Sequence, residues 1–516
     1  MQQKLEMGQM VDEKKKWTIT FARELKKEGI IAAPMVAVTA LQYLLQLVSM
    51  IMVGHLDQLS LSSVAIAISL TNVTGFSLLF VRYLVIEEKK ALQISISKPI
   101  GLVYVSSGLA GGLETLCGQA FGAEQYQRLG TYTCTAMISL LLVCPPVCLL
   151  WIFMDKLLPL VGQDPLISLQ ARKYSMWLIP ALFGASILKP LTRYFQSQSL
   201  IFPMLLSSFA ILLFHISASW ALVYKLEFGS RGSAIAFSLS TWLYVVMLGS
   251  YAMYSSVFEK TRIRISKDSI LHVGEFFCLA IPSAVMVCLK WWSCELLIFL
   301  SGLLPNPKLE TSVLSIWYNS ISVPEEINLL DIDILKLSFV LCDCTALQSL
   351  LCTSLYHMDS DLLQGAGNPQ AARVAVQAAV FLSVTEAIIV STTLFCCRYV
   401  LGSAFSSETQ VADYVAVMTP LICLSVFMDS LQAVLSGVAR GSGWQHLGAY
   451  VNLGAFYLVG LPVAMVLGFP VYLRGKGLWI GIVVGSVVQS TLLGCITCFT
   501  NWTKQVHNSF FFSTKI

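Results

Sequence analysis

Long apolar runs, separated by short polar breaks, recur along the whole chain. They fall at roughly 30–54, 60–81, 130–153, 170–190, 200–225 and 230–256. They return at 273–304, 311–322 with a continuation towards 357, 371–396, 410–437, 443–468 and 476–499. At 1.5 Å per residue, a helix of about 20 residues crosses the hydrocarbon core of a bilayer. The runs are unbroken rather than alternating, which excludes a β-barrel. The pattern predicts an all-α integral membrane protein with twelve transmembrane helices.

Those helices divide into two sets of six. At a shift of 248 positions, Ala32, Pro34, Leu41, Gly54, Leu56 and Leu61 fall on Ala280, Pro282, Leu289, Gly302, Leu304 and Leu309. Gly122-Ala123 falls on Gly365-Ala366, and Pro180 on Pro420, at slightly smaller shifts. Matches in order at a nearly constant shift argue for duplication of a half-chain unit, a common transporter design.

Composition agrees. The 516 residues are 56% hydrophobic and only 12% charged, against about 25% charged in soluble domains. A net charge of +4 is too small and scattered for a nucleic-acid footprint. The 15 cysteines lie mostly inside apolar runs, where they serve as small packing residues. No apolar stretch follows the start, so no cleaved signal peptide is expected. The polar residues 1–28 carry seven Lys/Arg, and the 257–272 loop holds Lys260, Arg262, Arg264 and Lys267. Both are expected on the cytoplasmic side, as six intervening spans require.

Ionisable residues inside the runs carry the candidate chemistry. Charge at such depth costs about 2.5–3.5 kcal/mol, so it normally faces a cavity or a partner. Lys290 and Glu295 sit in the seventh run. Asp429 sits in the tenth, with uncharged residues for more than two turns on either side. Left alone there, its carboxylate would be desolvated and driven towards the protonated form, as a group that loads and releases protons must be. The alternative is an Asp satisfied by hydrogen bonds between helices. Glu114 lies in a Gly-rich stretch, 108–126, that reads as the link between spans two and three. It is either an acid at the mouth of the first half or a helix-end acid. Glu386, near a span end, needs no function.

GHLDQLSL at 54–61, TGFSLL at 74–79, LETLCGQAFGAEQY at 113–126 and LLPNPKLETSVLS at 303–315 resemble the plant multidrug and toxic compound extrusion (MATE) transporters. GAGNPQAAR at 365–373, VLSGVARGSGWQHLGAYVNL at 434–453 and GKGLWIGI at 475–482 extend the likeness. The resemblance implies two pseudo-symmetric six-helix lobes around a central cavity. The expected boundaries are a cytoplasmic tail at 1–28, an N-lobe at 29–256, a basic cytoplasmic loop at 257–272, a C-lobe at 273–499 and a cytoplasmic tail at 500–516. It also implies export of organic compounds in exchange for protons, driven by the proton gradient with no cofactor and no metal. Asp429 matches the family's coupling acid in span ten. Lys290, Trp291, Glu295, Gln42, Glu114 and Asn452 are the expected cavity residues. The expected partners are a small organic substrate and the lipid bilayer, with no nucleic acid, and the chain is expected to be a monomer. The membrane would be vacuolar or plasma.

Three departures from the family pattern matter. Where the family has Glu-Trp-Trp, this chain has Lys290-Trp291-Trp292. A Lys beside Asp429 would hold that carboxylate ionised and repel cationic substrates. Glu295 is about 140–150° round the helix from it and substitutes poorly. Second, residues 81–106 place Arg82, Glu87, Glu88, Lys89 and Lys90 where the family helix runs on. A retained intron and a genuine cytoplasmic loop both account for this. Third, residues 317–364 do not match, with Glu325, Glu326, Asp331 and Asp333 where an apolar helix should stand. Read one base out of register, permitted codons for Cys352–Gln364 give YFIIPYGLGSAA, close to the family's segment, which suggests a shifted frame.

The leading expectation is a proton-coupled antiporter. A lipid-linked-sugar flippase of the same fold and a non-transporting isoform are the alternatives. An integral-membrane enzyme is not expected, because the six histidines show no H-x-x-x-H spacing and no G-x-S-x-G or P-loop occurs.

Overall fold

The computed structural model describes residues 102–160, 165–263, 267–301, 369–399 and 409–502, with parts of 19–53 and single residues between 304 and 314. Ten long helices organise them. They are α1 Leu102–Gly122, α2 Tyr126–Ile152, α3 Pro165–Ser197, α4 Ile201–Lys225 and α5 Gly229–Tyr254, followed by α6 Val273–Ser301, α7 Pro369–Cys396, α8 Thr409–Gly441, α9 Gln445–Gly468 and α10 Arg474–Phe499. Among the described residues, nine helices are long and apolar enough to cross a membrane. The protein is therefore an integral, multi-pass, all-helical membrane protein. Expected spans one, two and eight lie partly or wholly outside the described residues, as do nearly all of 81–106 and all of 317–364.

Side-chain distribution fits a lipid environment. On α4, Phe202, Leu206, Phe209, Leu213, Ile216 and Trp220 are exposed at spacings of three and four, one continuous apolar face. The opposite face buries Ser208, His215 and Ser219. Polar groups point inward because lipid offers them no hydrogen bonds. His215 is held this way, with Ser49 and Ser240 at 2.9 Å and Ser219 at 3.3 Å.

The repeat is visible in the backbone. Helices α3 and α8 are both 33 residues long and start at 165 and 409; α5 and α10 are both 26 long and start at 229 and 474. The tight turns before α5 and α10 hold residues in left-handed conformation at matching places, Glu227 with Tyr472 and Gly229 with Arg474. Ser199 and Gly443 do the same in the turns before α4 and α9. Pro180 and Pro420 both lie inside their helices. With 165 laid on 409, they sit four residues, about one turn, out of register.

Two expectations need correction. Residues 108–122 are not a link between spans but the body of α1, which already begins at Leu102 inside the expected insert. Their glycines signal close helix packing rather than a loop: a Cβ at Gly112 would stand 2.9 Å from Ala280 Cα, and one at Gly111 2.7 Å from Ser283 Oγ. Helices α3 and α8 also run beyond the expected 170–190 and 410–437.

Candidate functional site

Asp429 and Lys290 meet. The Lys290 ammonium on α6 lies 3.0 Å from Asp429 Oδ1 on α8. It also donates to Gln432 Oε1, one turn beyond Asp429 on the same face of α8. Ser486 on α10 donates to Asp429 Oδ1 at 3.3 Å. Of the alternatives open for Asp429, the structure shows the one with Lys290 beside it: the partner stands 139 residues earlier in the chain, on another helix. The pair is not sealed, with side chains 33% exposed for Asp429 and 16% for Lys290.

Just below this pair, α6 is tied to α9. Asn452 donates from Nδ2 to the Met286 carbonyl at 2.7 Å and accepts from Gln489 Nε2 on α10. Tyr457 donates to the Leu289 carbonyl at 3.2 Å. Asn452 is buried and spends its amide holding α6, the helix that presents Lys290. Gln42 stands in the other half, donating to the Tyr244 hydroxyl at 3.1 Å, with Ser208 2.6 Å from the same oxygen. The side chains of Trp291 and Glu295 lie outside the described residues.

Glu114 belongs to neither cluster. It is buried in the middle of α1, paired with Arg193 of α3 and close enough to Arg440 of α8 to feel its charge. Glu114 thus lies inside a helix, neither in a link nor at a helix end. Around it runs a seam between the halves. Thr115 donates to the Arg440 carbonyl at 3.1 Å and Gln119 to the Gly441 carbonyl at 3.2 Å. Gln445 donates to Thr115 Oγ1 and to the Arg440 carbonyl, both at 3.1 Å. The last carbonyls of a helix have no partner within it, so the first half supplies caps for α8.

Sequence reading missed Gln432, Ser486, Gln489 and Arg193. Gln432 carried a signal, three residues from Asp429 and therefore on its face. The others are ordinary polar residues of their helices, and only packing gives them a role.

A helical bundle with a repeated half, an apolar belt and a charge pair across its inner helices defines a membrane transporter. The MatE family profile matches residues 34–83, 90–221 and 363–466, more than half of the chain. The chain belongs to the MATE transporter family and is not an enzyme. Protein DETOXIFICATION 8 of Arabidopsis thaliana is 51% identical over 482 residues, 93% of this chain and 90% of that protein. Protein DETOXIFICATION 14 of the same plant is 47% identical over 489 residues, covering 95% and 91%. The crystal structure of the eukaryotic MATE transporter AtDTX14 superposes with a TM-score of 0.81 at 46% identity, covering 96% of this chain and 100% of that one.

Proposed function

We propose that this chain exports organic compounds by alternating access of its two halves, coupled to protons through Asp429. The observation that carries the reading is the Asp429–Lys290 pair: a carboxylate and an ammonium 3.0 Å apart inside spans, held by three helices. Charge in that position costs free energy and stays only where it is used or well paired. The antiport implied by the family requires that Asp429 be loaded and unloaded with protons in turn. The seam supplies the moving part. Its hydrogen bonds run from α1 to the end of α8 and must part before the halves separate at that end.

Purified protein in sealed vesicles tests this. An imposed pH gradient should drive dye flux in the native chain, and Asp429→Asn should remove the gradient's effect while the protein stays monodisperse. Gradient-driven flux that survives in the variant would take Asp429 out of the mechanism.

A second reading, a non-transporting isoform, has its own support. The family match breaks at 84–89, inside the expected insert, and again over 222–362, a gap that takes in nearly all of the mismatched segment together with the hundred or so residues before it. The same vesicles decide between the two. Flux that appears only when the family's segments replace 81–106 and 317–364 would favour the isoform.

A further inference from the structure

Arg440 reaches from one half into the other. It stands one residue before the end of α8, in the second half, and is buried. Its guanidinium lies against Gly111 of α1, where a Cβ would stand 3.6 Å from Nη1 and 3.9 Å from Cδ. Glu114 follows three residues later on the same face of α1, and its carboxylate feels the charge of Arg440. The backbone of Arg440 is held at the same place, since its carbonyl accepts from Thr115 and Gln445.

The first half has already matched this acid. Arg193, on α3, is ion-paired with Glu114 Oε1. Lys189 stands one turn earlier on the same face of α3, near enough to feel the charge of Arg193. The first half therefore presents one carboxylate with two cations of its own. A third cation brought by the other half gains the carboxylate and meets like charges at once. Both effects are strong, because buried charges have little water between them. They oppose each other, which makes a contact that holds and also lets go.

We infer that Arg440 and Glu114 form a releasable latch between the halves at the end where α1, α3 and α8 finish, and that Arg193 sets its strength by competing for the carboxylate. The inference rests on the reading that the halves alternate. Breaking a buried ion pair is costly chiefly when it strands one charge without a partner. Here opening strands neither: Glu114 keeps Arg193, and Arg440, at its helix end, is drawn into the gap that opens. An alternating protein must populate both arrangements, and a pair too costly to break would trap one of them. The Lys290–Asp429 pair is different in kind, because it joins α6 to α8 inside the second half.

The test uses the full-length chain in vesicles, with Gln445→Cys as a reporter at a fully buried position of the seam. Permeant N-ethylmaleimide is added, and modification of residue 445 itself is followed by mass spectrometry, so the other cysteines do not interfere. Arg440→Gln removes the charge that crosses the seam and leaves Glu114 with Arg193. It should raise the labelling rate several-fold, and Arg440→Lys, which keeps the charge, should bring the rate back towards that of the reporter alone. Arg193→Gln gives Glu114 wholly to Arg440 and should lower the rate. If that variant does not fold, Arg193→Lys, which keeps the charge but loses the planar fork, should lower it by less. A brace internal to the first half would give the opposite order, with the Arg193 variants labelling faster and Arg440→Gln unchanged. That order, or equal rates in all the proteins, would overturn the latch and leave alternation standing. A residue 445 that is never labelled in any monodisperse variant would show that the seam does not part, which would defeat alternation and the latch together.

Discussion

Laying the second half on the first places Lys290 on Gln42, Asn452 on Ser208, Gln489 on Tyr244 and Asp429 on Ala185. The frames agree to within a few residues, and both halves build a polar contact between their fifth and sixth helices at this place. Their chemistry differs. The first half answers with a neutral chain, Gln42 to Tyr244 to Ser208, and the second with an ion pair resting on an amide pair. The first half keeps its own charge pair, Glu114 with Arg193, but moves it to the seam and buries its carboxylate. In the second half's pair the carboxylate is a third exposed, and in the first half's it is buried. Duplication supplied two similar scaffolds, and divergence placed their charge pairs differently.

Three substitutions probe this contrast. The largest effect is expected from removing the buried carboxylate. Glu114→Ala takes the buried carboxylate away from Arg193 and from the nearby, buried Arg440, which should cost about 3–5 kcal/mol. Asp429→Ala, at a carboxylate a third exposed, should cost about 1 kcal/mol or less. Thermal unfolding of both purified variants should separate them clearly, and equal losses would erase the distinction between a structural and a working pair.

Gly112→Leu comes next. Its side chain would meet the Ala280 backbone, where a Cβ alone stands at 2.9 Å. Overpacking of this kind costs about 1–3 kcal/mol. Here it should push the halves apart and raise maleimide labelling of a Gln445→Cys reporter, a position fully buried in the seam. Unchanged labelling would mean that α1 and α6 do not govern closure.

The smallest effect belongs to the neutral cluster. Gln42→Leu removes one hydrogen bond from a Tyr244 hydroxyl that keeps Ser208, so about 0.5–1 kcal/mol is expected, with dye selectivity unchanged. A change in selectivity would show that the first half also reads the substrate.

Much of this was legible in advance, and the limits have physical causes. The nine spans among the described residues are legible in the sequence because the bilayer imposes length and polarity on each helix separately. The stretch 108–126 was misread because glycine marks both a turn and a close helix contact, and one sequence cannot distinguish them. Asp429 was found because an acid in an apolar run is costly wherever its partner is. That it had a partner was visible only as a possibility, in the Lys that stands where the family carries an acid.

The sequence by itself determined that this chain crosses the membrane many times, that its halves share an origin, that it belongs among MATE-like transporters, and that Lys290 and Asp429 are its exceptional charges. These are properties of single helices and of local order, set by hydropathy and by spacing. Tertiary structure alone decided that Lys290 reaches Asp429, that Asn452 braces α6, and that Glu114 lies in a seam capped by Thr115 and Gln119. Each of those facts joins residues from different helices. The rotation of one helix against another is fixed by how their side chains interlock, a relation that no single stretch of sequence contains.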